Sequence, residues 1–495
     1  MVDRRIRQEP LRLAAAAARP LGALLGVLAG FMVLTALVGR LFAHDNAGVL
    51  PMLFSAVLTA GAGGLLLAAG RRWGREAVGR REGMLVVALA WVAMGTFGGL
   101  PFIFGADFHV VDAVFEATSG FTTTGATILG EIEQRLSQPL HLWRLLTHWL
   151  GGLGLVVLFV AIFPALGVGG RHMYNSEVPG PRSQGLVPRI RDTSKALWRI
   201  YLLITVAEIV SLLVVGIDPF NAIAHAFSTM GTGGFSTLNA SVAGFHNAAA
   251  EMVIVVFMVI AGVNFGLFFE ASLKGWRCLV RDPELKVYLG LYLLIVAVVT
   301  LDLWPVKHSL VQAARYASFQ VAAIMSTTGF GTDDFEVYPA LSRCLLVACY
   351  FIGGSAGSTA GGMKVIRIIL IAKLLGAELR RTHRPNLVAP VMVGGKAYGN
   401  SAITEVVAFC AVYLLTFLGG AILVALLDPV DLTTAFMSSL ACVANVGPGL
   451  GMVGALDNYG FLSHASKLVL SACMLLGRLE FFTLLAVLHP RFWKH

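Results

Sequence analysis

Predominantly apolar stretches of about 20 residues, the length that a bilayer demands, recur at ten places in this chain. They lie near 20–42, 49–70, 83–104, 142–166, 197–217, 249–273, 285–303, 340–376, 401–427 and 464–488. Each predicts a membrane-spanning helix. The first two form an N-terminal pair. The other eight form four pairs, and each pair encloses a stretch too short and too polar to span. These enclosed stretches begin near Val110, Pro219, Gln312 and Asp431. All four carry an acidic or polar residue at or near their start, Asp112, Asn221, Gln312 and Asp431, continue for a helix length, then break at Thr and Gly. Each predicts a re-entrant helix that dips into the membrane and returns through a Gly loop. Backbone of that kind is tolerated at membrane depth only where it is buried in protein or lines a water-filled cavity.

The four loops read as versions of one another: Thr122–Thr127, Gly231–Ser236, Ser326–Gly331 and Ala444–Gly449. A Thr/Gly loop repeated four times suggests a pore with fourfold pseudo-symmetry, in which backbone carbonyls replace the water shell of a cation. Glycine relieves the steric limit on backbone turning, so carbonyls can aim inwards. The C-terminal end of each re-entrant helix points its negative dipole end at the pore, which favours a cation. The expected fold is an all-α membrane protein of about ten transmembrane helices, with four repeats of span, re-entrant helix, filter loop and span. The expected divisions are 1–82 for the N-terminal pair, then repeats at 83–195, 196–284, 285–399 and 400–495.

Composition agrees. Of 495 residues, 57% are hydrophobic and 13% charged, against about 25% charged in a soluble domain. The net charge of +9 therefore does not indicate nucleic-acid binding. Its distribution is informative instead. Basic residues cluster between every second span, at Arg4–Arg7, Arg71–Arg81, Arg171–Lys195, Lys274–Lys286, Lys373–Lys396 and Arg491–Lys494. Positive-inside bias makes these clusters cytoplasmic and puts both termini inside, consistent with an even number of spans. The six cysteines are scattered without metal-ligand spacing and read as small apolar side chains. The first apolar run is too long for a signal peptide.

Five segments together resemble the TrkH family of bacterial potassium transporters, in the superfamily that also holds KtrB and plant and fungal relatives. They are Thr123–Thr127, Thr232–Thr237, Asn445–Gly451, Gly353–Lys364 and Leu476–Glu480. The resemblance covers nearly the whole chain, and the extra N-terminal pair is like TrkH rather than the shorter KtrB. It implies potassium uptake across the bacterial inner membrane through a pore filtered by a ring of four glycines. The matching residues are Gly125, Gly233, Gly329 and Gly447. The residues before them, Thr123 and Thr124, Gly231 and Thr232, Thr327 and Thr328, Asn445 and Val446, are expected to supply further carbonyls for potassium. All four ring positions are Gly, which by the family pattern favours potassium over sodium. The resemblance also implies a homodimer on a TrkA-like cytosolic ring that binds nucleotides, with 167–195 and 373–399 as docking surfaces.

The run from Gly353 to Gly362 interrupts the eighth span. Glycines at this density break a helix, and a broken helix within a membrane lines a pathway. By resemblance this is the gating loop, with Gly353, Gly354, Ser355, Gly357, Gly361 and Gly362 as its core and Lys364 at its inner end. Arg478 lies mid-span in the last helix, where a charge is costly and must face a cavity or a partner. It is expected to face the path beneath the filter, as a barrier or as a hold on the loop. Glu208, Asn264 and Glu270 read as structural, and Asp112, Glu116 and Glu336 as an acidic rim or cation attractors.

Two other classes compete. Gly353–Gly357 fits the Gly-x-Ser-x-Gly pattern of serine hydrolases, but that motif needs a strand-to-helix elbow and a positioned His. His148 and His225 are the nearest candidates and lack context, so an enzyme is not expected. A sodium- or proton-coupled symporter would show paired or inverted repeats, whereas these repeats are parallel. A channel-like pore is the expected mechanism.

Overall fold

The computed structural model describes residues 2–42, 47–72, 79–154, 190–387 and 389–493. Helices α1 (Val2–Phe42) and α2 (Val49–Arg72) form the N-terminal pair. Helix α3 (Arg80–Gly98) continues through α4 (Leu100–Ala106) to the short helix α5 (Val110–Phe121). A turn at α6 (Ile132–Arg135) leads into α7 (Gln138–Trp149). The second repeat has α8 (Ile190–Val214), short helix α9 (Pro219–Gly231), and α10 (Ala248–Ala261) bent by 84° into α11 (Phe265–Lys274). After α12 (Arg277–Arg281), the third repeat has α13 (Pro283–Lys307), short helix α14 (Leu310–Met325), α15 (Ala340–Ile352) and α16 (Val365–His383). The fourth has α17 (Asn400–Leu427), short helix α18 (Leu432–Ala444), and α19 (His464–Arg478) bent by 119° into α20 (Phe482–Leu488).

The chain is a multi-pass helical membrane protein. Among the described residues six helices are long and apolar enough to cross unbroken, and the two bent pairs raise this to eight. The expected span at 340–376 is split between α15 and α16. The span at 142–166 is described as far as Gly154, and its remainder lies outside the described residues, as does most of the basic segment 167–195. Large apolar side chains such as Leu65, Val214, Leu294, Leu415 and Leu426 are exposed on the spans, the surface that hydrocarbon covers.

Local chemistry explains why the short helices start where they do. Their first N–H groups have no intrahelical acceptor, and a side chain supplies one in each case. His109 accepts from the Val111 N–H at 3.2 Å, Asp218 from Asn221 at 3.0 Å, Ser309 from Gln312 at 3.4 Å, and Asp431 from Thr433 at 3.0 Å. The Thr434 hydroxyl also donates to Asp431 and holds that carboxyl below its ordinary range.

One feature lies outside the all-α expectation. Strands β1 (Val391–Val393) and β2 (Lys396–Tyr398) pair antiparallel, Val391 opposite Tyr398 and Val393 opposite Lys396. Gly394 and Gly395 turn the hairpin at φ +58° and +77°, the type I′ geometry that suits strand twist. Val391 and Val393 pack with Ile366 and Leu370 of α16.

The pair α1–α2 meets through glycine. A Cβ added at Gly63 would stand 2.9 Å from the Gly22 carbonyl oxygen, whereas one added at Gly64 meets nothing. Gly63→Leu is expected to destabilise the protein by about 1–3 kcal/mol through overpacking, read as a lower melting temperature in detergent. Gly64→Leu, facing outward, is expected to melt with the wild type.

Candidate functional site

The four short helices end in the same way. Each closes with a residue in left-handed backbone: Thr123 at φ +55°, Thr232 at +55°, Thr327 at +58° and Asn445 at +54°. The N–H of that residue returns three positions, to Gly120 at 3.1 Å, Thr229 at 2.9 Å, Ile324 at 3.0 Å and Cys442 at 3.3 Å. The next N–H returns five positions, from Thr124 to Ser119, Gly233 to Ser228, Thr328 to Ala323 and Val446 to Ala441, at 2.8 to 2.9 Å. This is the Schellman helix stop. A β-branched Thr in left-handed backbone is uncommon and costs about 1–3 kcal/mol, yet three of the four loops contain one.

These bonds set the register between the loops. The residue two past the left-handed one is a glycine of positive φ in every case: Gly125 (+81°), Gly234 (+81°), Gly329 (+75°) and Gly447 (+93°). The equivalent of Gly125 in the second loop is therefore Gly234, and the expected Gly233 is corrected by one position. Gly233 is equivalent to Thr124, Thr328 and Val446. Gly231 belongs to the helix end, beside Thr122, Ser326 and Ala444, and is not equivalent to Thr123. The other expected residues of the first, third and fourth loops meet in register.

The glycines close a ring. A Cβ on Gly125 would lie 2.1 Å from the Gly233 carbonyl oxygen, and one on Gly234 would lie 2.0 Å from that of Thr328. A Cβ on Gly329 would lie 1.9 Å from the Val446 oxygen, and one on Gly447 would lie 2.4 Å from that of Thr124. Each glycine thus receives the carbonyl of the next repeat, and the fourth receives that of the first. Real Cβ contacts do not come so close. Any side chain here must open the ring, quite apart from the backbone strain.

Buried polar side chains hold the ring from behind. Seven residues before each left-handed position stand Glu116, His225, Gln320 and Ser438, all buried. Glu116 accepts from the Thr127 hydroxyl at 2.8 Å and the Ile128 N–H at 3.0 Å. His225 Nε2 lies 2.9 Å from the Ser236 hydroxyl, and Gln320 donates to the Asp333 carbonyl at 3.0 Å. Three repeats thus tie a short helix to its own returning strand from one position. Glu116 also pairs with Arg144 at 2.6 Å, and Arg144 donates to the Ser236 carbonyl at 2.9 Å, joining the first repeat to the second. The expected acidic rim is not formed by these acids: Glu116 is buried in an ion pair, Asp112 pairs with Lys467 at 2.7 Å, and Glu336 accepts from the Gly451 N–H.

Beyond the ring the second helix of every repeat breaks, where the sequence suggested one break. Helix α7 passes into a wider turn at Leu150–Gly154, with Gly152 non-helical. Helices α10 and α11 part at Gly262–Asn264, α15 and α16 at 353–364, and α19 and α20 at Leu479–Phe481, where Glu480 and Phe481 have φ +53° and +57°. The missed signals were short: Gly151-Gly152, Gly262, and Gly477 beside a charge.

The loop 353–364 docks into the other breaks. The Ser355 N–H donates to the Gly262 carbonyl at 2.8 Å, and the Phe265 N–H donates to that of Gly357 at 3.0 Å. Gly353, Gly357 and Gly362 all have positive φ, and a Cβ on Gly354 would lie 2.6 Å from that of Ala360. The loop also touches the ring's support, since the Gly361 N–H donates to the Thr327 hydroxyl at 2.6 Å. Arg478 donates to the Thr359 carbonyl at 2.7 Å and to those of Gly151 and Gly152 at 2.7 and 3.0 Å. It therefore bridges loop and first-repeat break, while Glu480 pairs with Arg367 at 2.7 Å. Lys364 is buried and donates back to Ala360. Glu284, which sequence reasoning missed, accepts the N–H groups of Ala356 at 2.7 Å and Ile366 at 3.2 Å, one at each end of the segment. The Ser355 hydroxyl has no hydrogen-bond partner among the described residues, so nothing activates it as a nucleophile.

Comparison with known proteins agrees with this architecture. Residues 54–491 match the TrkH family, described as cation transport protein. The chain is 40% identical to the Trk system potassium uptake protein TrkH of Salmonella typhimurium over 483 residues, 96% of this chain and 98% of that one. It is 39% identical to the protein of that name from Halomonas elongata over 487 residues, again 96% and 98%. The crystal structure of the potassium transporter TrkH from Vibrio parahaemolyticus superposes with a TM-score of 0.86 at 36% identity, covering 97% of this chain and 99% of that one. This is a family of transporters, not of enzymes.

Removing one member of a buried ion pair leaves the other charge uncompensated. Glu116→Ala is expected to destabilise the protein by about 3–5 kcal/mol, measured by thermal unfolding in detergent. Glu270→Ala removes an exposed partner of Lys274 and is expected to leave the melting temperature within error of wild type.

Proposed function

Since the chain belongs to the TrkH family of cation transport proteins, we propose that it carries potassium into the cell through a channel-like pore, filtered by the ring at Gly125, Gly234, Gly329 and Gly447. The cyclic packing of four carbonyls against four glycines carries this reading. Such a ring offers oxygens at a spacing set by backbone contact, as a dehydrated cation requires. The Thr123, Thr232, Thr327 and Asn445 carbonyls, one step earlier, form the next layer. Relatives named as potassium uptake proteins support potassium as the ion. The short helices enter from outside, and both termini lie in the cytoplasm of a bacterial inner membrane. The driving force is the membrane potential, about 2.3 kcal/mol per charge per 100 mV.

The loop 353–362 is the gate. It lies against the supports of the third and fourth filter loops, and Arg478 and Glu284 hold it there. A homodimer on a TrkA-like nucleotide-binding ring would act from the cytoplasmic side, where 373–399 and its hairpin adjoin the far end of this loop. The alternative is ion-coupled symport. Its carrier would be Glu208, buried on α8 beside Thr229 with neither oxygen in a hydrogen bond of ordinary geometry among the described residues.

Potassium and sodium flux into liposomes holding the purified chain tests the reading. The wild type is expected to prefer potassium, and Gly125→Ser and Gly234→Ser each to lose the preference. An unchanged ratio in both variants overturns the filter. If the wild type is silent, Arg478→Ala is expected to open it by releasing the loop, and continued silence overturns the gate. Under voltage clamp a pore reverses at the potassium equilibrium potential. A reversal that follows the sodium or proton gradient, and that Glu208→Gln abolishes, establishes symport instead.

A further inference from the structure

The second loop has glycine at 231 and 233, where the first and third loops carry hydroxyl pairs. In the first, the Thr122 and Thr124 hydroxyls lie 2.8 Å apart; in the third, those of Ser326 and Thr328 lie 2.7 Å apart. One hydroxyl of each pair belongs to the residue, Thr124 or Thr328, whose carbonyl packs on the ring. In the fourth loop Asn445 does similar work, donating to the Thr124 hydroxyl and the Met474 carbonyl, both at 3.0 Å. The second loop has neither device of its own.

His148 occupies that place from the neighbouring repeat. A Cβ on Gly233 would lie 2.1 Å from the imidazole, and one on Gly231 would lie 2.4 Å from the His148 carbonyl oxygen. The two glycines are what let α7 approach. The ring is fully buried, 4.2 Å from that of Phe235. Its two nitrogens bond different repeats. The Phe235 N–H donates to Nε2 at 3.2 Å, so Nδ1 carries the proton and donates to the Gly120 carbonyl at 2.8 Å. Phe235 follows Gly234 directly, and Gly120 accepts the first Schellman bond of the first loop. Tyr350 stands in the corresponding place, three residues before the break of its own helix, and donates to the Pro448 carbonyl of the next repeat at 2.5 Å.

We infer that His148 is a specificity-determining positioning residue. In its Nδ1–H form it fixes the Gly233 carbonyl relative to the first loop, as the hydroxyl pairs do for Thr124 and Thr328. This rests on the filter reading above. The His148 acceptor cannot be replaced by packing alone, because the Phe235 N–H would be left buried without a partner.

The test is the potassium-to-sodium flux ratio of the full chain in liposomes, for His148→Ala, His148→Asn and His148→Gln, beside Gly125→Ser. Gln can place an oxygen near the Nε2 position and accept from Phe235; Asn reaches only the Nδ1 position. The ratio is expected to fall about three- to tenfold in the Ala and Asn variants, the equivalent of one hydrogen bond, and by less in the Gln variant. Melting temperature is recorded for each, and the Asn and Gln variants decide the matter if Ala does not fold. An unchanged ratio in folded His148→Asn overturns the inference. So does an equal fall in Asn and Gln, which marks simple loss of ring packing. If Gly125→Ser also keeps the wild-type ratio, the filter reading itself has failed, which is a separate result.

Discussion

Backbone packed on backbone, without side chains between, is the constraint from which the rest of this structure follows. Four carbonyls press on four glycines in a closed circuit, and the circuit forms only if four helix ends reach the same depth in the same orientation. The Schellman stop gives each end one geometry. Left-handed Thr at three of these stops is a local strain that a surrounding of satisfied bonds must outweigh. The capping residues at the opposite ends of the short helices, His109, Asp218, Ser309 and Asp431, set where each helix begins, and hence the depth of its end.

The symmetry that results belongs to the backbone and not to the side chains. At one position four short helices carry Glu116, His225, Gln320 and Ser438. Three of these clamp the returning strand, each with a different donor or acceptor. Behind the ring the devices are two hydroxyl pairs, a histidine from a neighbour, and an asparagine. Each solution satisfies polar groups that lipid and packed helices would otherwise leave without partners. Because the solutions differ, they also knit the repeats together unevenly. Arg144 and His148 tie the first repeat to the second, and Asn445 ties the fourth to the first.

Much of this was legible in the sequence, because span length and Thr/Gly breaks each have one dominant physical cause. The second loop was misread by one residue for an equally physical reason. Gly231-Thr232-Gly233-Gly234 offers three glycines, and composition cannot tell a glycine needed for positive φ from one needed for an approaching neighbour. Only the left-handed Thr232 and its returning hydrogen bonds separate them. The acids at 112, 116 and 336 could not be assigned because their partners, Lys467, Arg144 and Gly451, lie on other elements. The breaks at 150–154, 262–264 and 479–481 have three glycines, one, and none but the nearby Gly477, a signal that single helices also carry without breaking. The segment 353–362, with five glycines and two serines in ten residues, was the exception that could be read.

Breaking all four second helices at one level has a consequence that breaking one would not. A single interrupted span would hang a flexible loop below the ring. Here the loop at 353–364 is received by the break at Gly262–Asn264, while Arg478, at the end of α19, spans from Thr359 to the turn at Gly151–Gly152. Those carbonyls are available because helix breaks free them from intrahelical bonds. A half-buried guanidinium with several donors needs acceptors in a fixed fork, and the broken helices supply them from two repeats. Arg478 therefore draws acceptors from both the loop and the first-repeat break. Displacing the loop removes the Thr359 acceptor from this charge. The loop is thus held from two sides at once, by Glu284 through the Ala356 N–H and by the Thr327 hydroxyl at the ring through the Gly361 N–H.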